Sequence, residues 1–192
     1  MIIKKRIFLL VGILLISCNE NKKNDLIQSY FEAHNAHEIE NSLGYFNEDA
    51  VFELKGVWTK KGLNDIRGLE EFDAAMNSHL ELIEARQSGD TVYCRIVENN
   101  DWFSSVGITR LVHDPTIFVL DGRKIKHIIA YPDQETGEKI EAAIGQIFQW
   151  SQQTGDSAVY KLLPEGEFIY SIEAATQWKA LFERMKESDS IP

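Results

Sequence analysis

The stretch "IQSYFEAHNAHEIENSLGYFNEDAVFEL" (residues 27–54) decides the fold. Leu26, Ile27, Tyr30 and Phe31 recur at helical spacing behind a cap at Asn24 or Asp25. The helix is expected to continue through "EIENSLGYF", to turn at "NEDA", and to give way to a strand at "VFEL" running toward Gly56. Downstream, "LEEFDAAMNSHLEL" reads as a second helix with Leu69, Phe72, Met76 and Leu80 along one stripe. From Ile83 the period drops to two. "IEARQ", the turn "SGD" and "TVYCRIVE" come first, then "TIFVL" meets "DGRKIKHIIAY" through an Asp121-Gly122 turn. Helices followed by an antiparallel meander predict an α+β domain over residues 25–133.

Residues 134–192 form a helical extension. "EKIEAAIGQIFQW" carries Ile140, Ile144, Ile147 and Phe148 on one face, and Ser171 caps a last helix with Ile172, Ala175, Phe182 and Met185. Both helices are too apolar to stand free, so they are expected to pack on the domain or to form a homodimer interface.

The chain opens "MIIKKRIFLLVGILLISC". A basic segment (Lys4, Lys5, Arg6) precedes an apolar run from Ile7 to Ile16, about half of the ~20 residues a membrane span needs. Residues 1–18 therefore read as a secretory signal. "LISC" resembles a bacterial lipobox, which makes Cys18 the lipidation site and residues 19–24 a tether. The expected address is a bacterial cell envelope, with an exported body held to a membrane by acyl chains.

The net charge of −10, near −13 without the signal's three cations, argues against nucleic acid as a partner. With Cys18 acylated, Cys94 is the only other thiol, and its mid-strand position predicts a buried structural group. No spacing matches a zinc site, a phosphate loop or a dinucleotide fingerprint, so neither metal nor cofactor is expected. His34 and His37, three apart with Glu38 near, lack an obvious third ligand.

The order of helix, acidic turn, strand, "GLEEF" helix and bent sheet ending "DGRKIKHIIAY" resembles the nuclear-transport-factor-two-like superfamily, which includes ketosteroid isomerase and the SnoaL-like cyclases. The resemblance spans residues 25–133 and implies a cone of helices closed over a curved sheet, with a largely apolar pocket inside. It implies no particular reaction, because the fold hosts isomerases, cyclases, hydrolases, dehydratases and binding modules. Against ketosteroid isomerase, the oxyanion-hole tyrosine falls on Tyr30, the general base on Leu54 and the second oxyanion-hole acid near Thr116. Against the cyclases, the late acid falls on Ala130, with Asp133 close behind. Neither chemistry carries over whole.

The pocket is expected to involve Tyr30, Trp58, Arg95, Glu98, Trp102, His127 and Tyr131. In "RIVENNDW" (residues 95–102), Glu98 against Trp102 would have a raised pKa in a dry pocket, whereas Asn99 and Asn100 suit a turn. His127 alternates with Ile125, Ile129 and Tyr131, which would place it opposite Glu98 as an acid–base partner if that face is concave. The leading expectation is non-catalytic binding of a small apolar or amphipathic ligand. One alternative is an isomerase, dehydratase or cyclase using Glu98 or His127 as proton carrier and Tyr30 as donor. The other is a protein–protein module working through the tail helices.

Overall fold

Helix α1 (Leu14–Asn35) places Ile27, Tyr30, Phe31 and His34 on one buried face, the i, i+3, i+4, i+7 set of an amphipathic helix. The computed structural model describes residues 14–188, with side chains from residue 23 onward. Most of the signal segment and the Cys18 side chain therefore lie outside the described residues. Residues 19–24, expected as a tether, belong to α1, and the Lys23 ammonium is tied to Asp90 (2.5 Å) and the Gly89 carbonyl (2.7 Å). Among the described residues no helix is long and apolar enough to cross a membrane.

The expected continuous helix through "EIENSLGYF" breaks at His37, which sits at φ 57. A short α2 (Ile39–Leu43) follows. Strand β1 (Phe46–Leu54) begins earlier than expected and absorbs "NEDA": Phe46 and Ala50 are buried while Glu48 and Asp49 face solvent at a shift in register. β2 (Trp58–Lys61) pairs back on β1, and α3 (Gly62–Ala75) then crosses the sheet. The meander runs through β3 (His79–Ser88), β4 (Thr91–Asn99), a helical turn α4 (Asp101–Ser105), β5 (Leu111–Asp121) and β6 (Lys124–Pro132).

The six strands lie in the order β2-β1-β6-β5-β4-β3. The meander is antiparallel as expected, but β6 returns beside β1 running parallel to it, because α3 carries the chain to the far edge before β3 starts. Register shifts interrupt every pairing from β3 to β6. Each such irregularity bends its strand, and together they curl the sheet around α1 and α3.

Ile27, Phe31, Phe118, Ile125 and Ile128 anchor the core under the sheet. A second core joins the domain to the extension, α5 (Gln134–Thr154), α6 (Ala158–Leu162), a 3-10 turn (Pro164–Gly166) and α7 (Ile172–Glu187). Trp178 is fully buried there, stacked on Phe168 and Phe182 (5.6 Å each) and met edge-on by Trp102 at 5.7 Å. The extension thus packs on its own domain, one of the two arrangements expected. As expected, the Ser171 hydroxyl caps α7 by accepting from Ala174 N (3.1 Å).

Candidate functional site

Between the helices and the concave face of the sheet lies a cavity of about 260 Å³. Its walls are mostly apolar: Phe31, Phe52, Leu54, Leu69, Ile96, Phe118 and Ile128 from the domain, with Ile140, Phe168 and Tyr170 from the extension. At about 30 Å³ for each water-sized unit, it holds a ligand on the order of ten non-hydrogen atoms. The extension completes one wall. The Trp58 indole N–H donates to the Tyr170 hydroxyl (2.8 Å), and Lys60 Nζ lies 5.2 Å from the Tyr170 ring centre. A Cβ on Gly68 would stand 2.9 Å from the Tyr170 carbonyl oxygen, so that position needs glycine for α3 to approach so closely.

Glu98 sits at the end of β4, facing into the cavity. Its Oε2 is 3.2 Å from His113 Nε2, and its Oε1 accepts from Asn100 Nδ2 (2.9 Å) and from the Ser78 hydroxyl (3.4 Å). Burial pushes this carboxyl upward, but the His113 hydrogen bond and charge, with the His34 charge and the Asn100 hydrogen bond behind them, outweigh it and hold the group below the usual glutamate value. The raised pKa expected for Glu98 is therefore corrected: it is kept as a carboxylate. Asn100 meets the turn expectation in part, because its Oδ1 caps α4 by accepting from Phe103 N (2.9 Å). "RIVENNDW" is thus a strand end and helix cap that aims Glu98 inward, while Asp101 faces out to Lys179 (2.8 Å) and Trp102 is buried at the cavity wall.

Asp73, on α3, is the second carboxyl in the cavity. Among the described residues nothing hydrogen-bonds or ion-pairs with its side-chain carboxyl. Burial, reinforced by the charge of Glu98, raises its pKa well above the ordinary aspartate value.

Behind the wall, Glu70 accepts from the Tyr30 hydroxyl (3.0 Å), His34 Nδ1 (3.1 Å) and the Ser42 hydroxyl (2.7 Å). Burial disfavours a charged His34, but the Glu70 hydrogen bond and charge more than compensate and lift it to about 9. Glu70 is held low by the same contacts despite its burial. His34 is therefore one half of a buried ion pair. Tyr30 lines the cavity, but its proton is committed to Glu70, which corrects its expected role as a free donor to ligand.

Four expected pocket residues reach the cavity, namely Tyr30, Trp58, Glu98 and Trp102. Three do not. His127 and Tyr131 lie on the outer face, and the inward residues of β6 are Ile125, then Ile128 and Ala130. The reason is a register shift between Val119 and Leu120, which pair with His127 and Ile125. The irregularity breaks the alternation, so Ile125 and His127 do not share a face. His127 Nε2 stands 4.0 Å from Glu53 there. Arg95 is exposed on the other side of the sheet, 3.7 Å from Asp114. Asp133 is spent as the α5 cap, accepting from Thr136 N (2.9 Å). Cys94 is buried, and burial pushes its thiol up to about 12, which leaves it unreactive. Among the described residues no three metal-ligating side chains converge.

No family model and no curated protein sequence matches the chain. Solved structures do. The epoxide hydrolase/cyclase-like enzyme SalBIII of pyran-ring formation in the polyether salinomycin superposes with a TM-score of 0.54 at 17% identity, covering 60% of this chain and 94% of that one. A putative ketosteroid isomerase from Kribbella flavida gives 0.51 at 15% identity, over 59% of this chain and 79% of its own. An LEH-like epoxide hydrolase from M. tuberculosis gives 0.51 at 13% identity, over the same shares. At such identities the likeness shows the architecture alone. The chain therefore has the nuclear-transport-factor-two-like fold, as its sequence leads one to expect, with three further helices packed against the domain.

Proposed function

We propose that this protein is an acid–base enzyme that moves a proton on a small, largely apolar molecule, with Glu98 and His113 as the proton-carrying pair. The observation that carries this is the 3.2 Å contact between Glu98 and His113 inside an apolar cavity. A pure carrier needs only the cavity, whereas a titratable pair desolvated within it is what proton transfer requires. Glu98 fixes the imidazole's orientation, and His113 exchanges the proton. The three similar structures are described as a putative isomerase, an epoxide hydrolase/cyclase-like enzyme and an LEH-like epoxide hydrolase; those descriptions belong to other proteins and do not choose a substrate here. The location proposed with it is the bacterial envelope, through acylation of Cys18, on the strength of the "LISC" sequence.

The test is untargeted mass spectrometry of a small-molecule extract incubated with the protein in deuterated water. Wild type is expected to transform one compound, or to place deuterium on one of its carbons. Glu98→Gln and His113→Asn should each slow this by about 10²–10⁴-fold, the usual worth of a positioned acid–base group. A compound bound by all three proteins and changed by none would make the protein a carrier instead.

A further inference from the structure

The cavity's charges do not balance. Three carboxyls stand in or directly behind it (Glu70, Asp73 and Glu98), against two imidazoles, His34 and His113. Glu70 is matched by His34 and Glu98 by His113, which leaves Asp73 over. Among the described residues no lysine or arginine lines the space; Lys60 meets the Tyr170 ring but is not part of the lining. Even with both imidazoles charged, the three ionised carboxyls would leave one negative charge without a partner. Such a charge in an apolar enclosure must either take up a proton or meet a cation.

We infer that the ligand is a small organic cation whose ammonium centre sits on the Asp73 carboxylate among aromatic rings. The rings are in place: Trp58, Phe72, Trp102 and Tyr170 all face the same cavity, and aromatic faces attract a desolvated cation. Asp73, Trp58, Phe72, Trp102 and Tyr170 line one and the same cavity, which brings the carboxyl and the rings to a shared space. The inference rests on the cavity being the working site and names the class of molecule it takes. Burial pushes the empty protein's Asp73 toward its protonated form, and the arriving cation favours the carboxylate and displaces that proton. Among the described lining residues an anionic ligand finds no lysine or arginine, and the two imidazoles, His34 and His113, are already bound to Glu70 and Glu98.

The test uses the full chain in non-ionic detergent with two probes of the same shape, choline and 3,3-dimethylbutan-1-ol, followed by titration calorimetry. A quaternary ammonium has no proton to lose, so any proton released comes from the protein. Choline should bind at least about tenfold more tightly than the alcohol at pH 7, a difference of roughly 1.4 kcal/mol. Repeated in buffers of different ionisation enthalpy, its binding should release a proton, up to about one per ligand. Asp73→Asn should abolish both the preference and the release while leaving the alcohol's affinity unchanged. Equal or tighter binding of the alcohol, binding of neither probe, or a preference that survives in Asp73→Asn would each overturn the inference. The Glu98 and His113 result on turnover is read separately, so a neutral preference with intact turnover would leave the proton-transfer reading standing.

Discussion

Replacing Glu70 with leucine should destabilise the protein by about 3–5 kcal/mol, the range for removing one member of a buried ion pair. The carboxylate accepts from Tyr30, His34 and Ser42 at once, and all three would lose their acceptor inside the core. Urea unfolding of wild type and variant measures the loss. The double variant Glu70→Leu with His34→Leu should recover part of it, because no charge is then stranded; a double variant worse than the single would contradict the ion-pair account. The pH dependence has a definite sign. His34 is raised from 6.5 to about 9, so its contribution is complete below pH 6.5 and is lost as pH rises through about 9. Glu70 is lowered from 4.5, so its contribution is complete above that value and is lost as pH falls below it. The stability gap between wild type and Glu70→Leu should therefore be widest between pH 4.5 and 6.5, and the His34 share amounts to on the order of 3 kcal/mol.

Trp178→Ala should cost a similar amount, about 3–5 kcal/mol, for the loss of a large buried ring. Its consequence reaches further, because Trp178 stacks on Phe168, and Phe168 and Tyr170 wall the cavity. With the indole gone, the segment between the 3-10 turn and α7 loses the surface that holds it down. Hydrogen exchange should rise over residues 167–171 before it rises in β4 or β5. Trp178→Phe should retain most of the stability, since a ring still meets Phe168, Phe182 and Trp102. Exchange that rises equally throughout would mean that the extension is not a separate wall.

The architecture was legible because its signals are local. Helical spacing from Ile27 to Phe31, the Asp121-Gly122 turn and the Ser171 cap each act over a few residues. The site was less so, because it depends on irregularities. Pro115 argues against a strand interior, so "LVHDP" does not read as the start of β5, and His113 goes unassigned; the structure places Pro115 at a register shift. Strict alternation misplaces His127 because the β5–β6 irregularity cannot be seen in "KIKHIIAY". Asp73 and Glu70 did leave a trace. They stand four residues after Leu69 and Ile66, acids at apolar-face spacing, which is the pattern of a carboxyl turned inward. The contribution of Tyr170 is carried by long-range packing, and no local pattern announces it.

One cavity shifts its two carboxyls in opposite directions, Glu98 downward through His113 and Asp73 upward through burial. Carbon-13 NMR of the side-chain carboxyls, followed from pH 3 to 9 on the ligand-free protein, observes this directly. Glu98 should titrate below the ordinary glutamate value and Asp73 above the ordinary aspartate value. An Asp73 that titrates at its ordinary value, or a Glu98 that takes up its proton first as the pH falls, would contradict it.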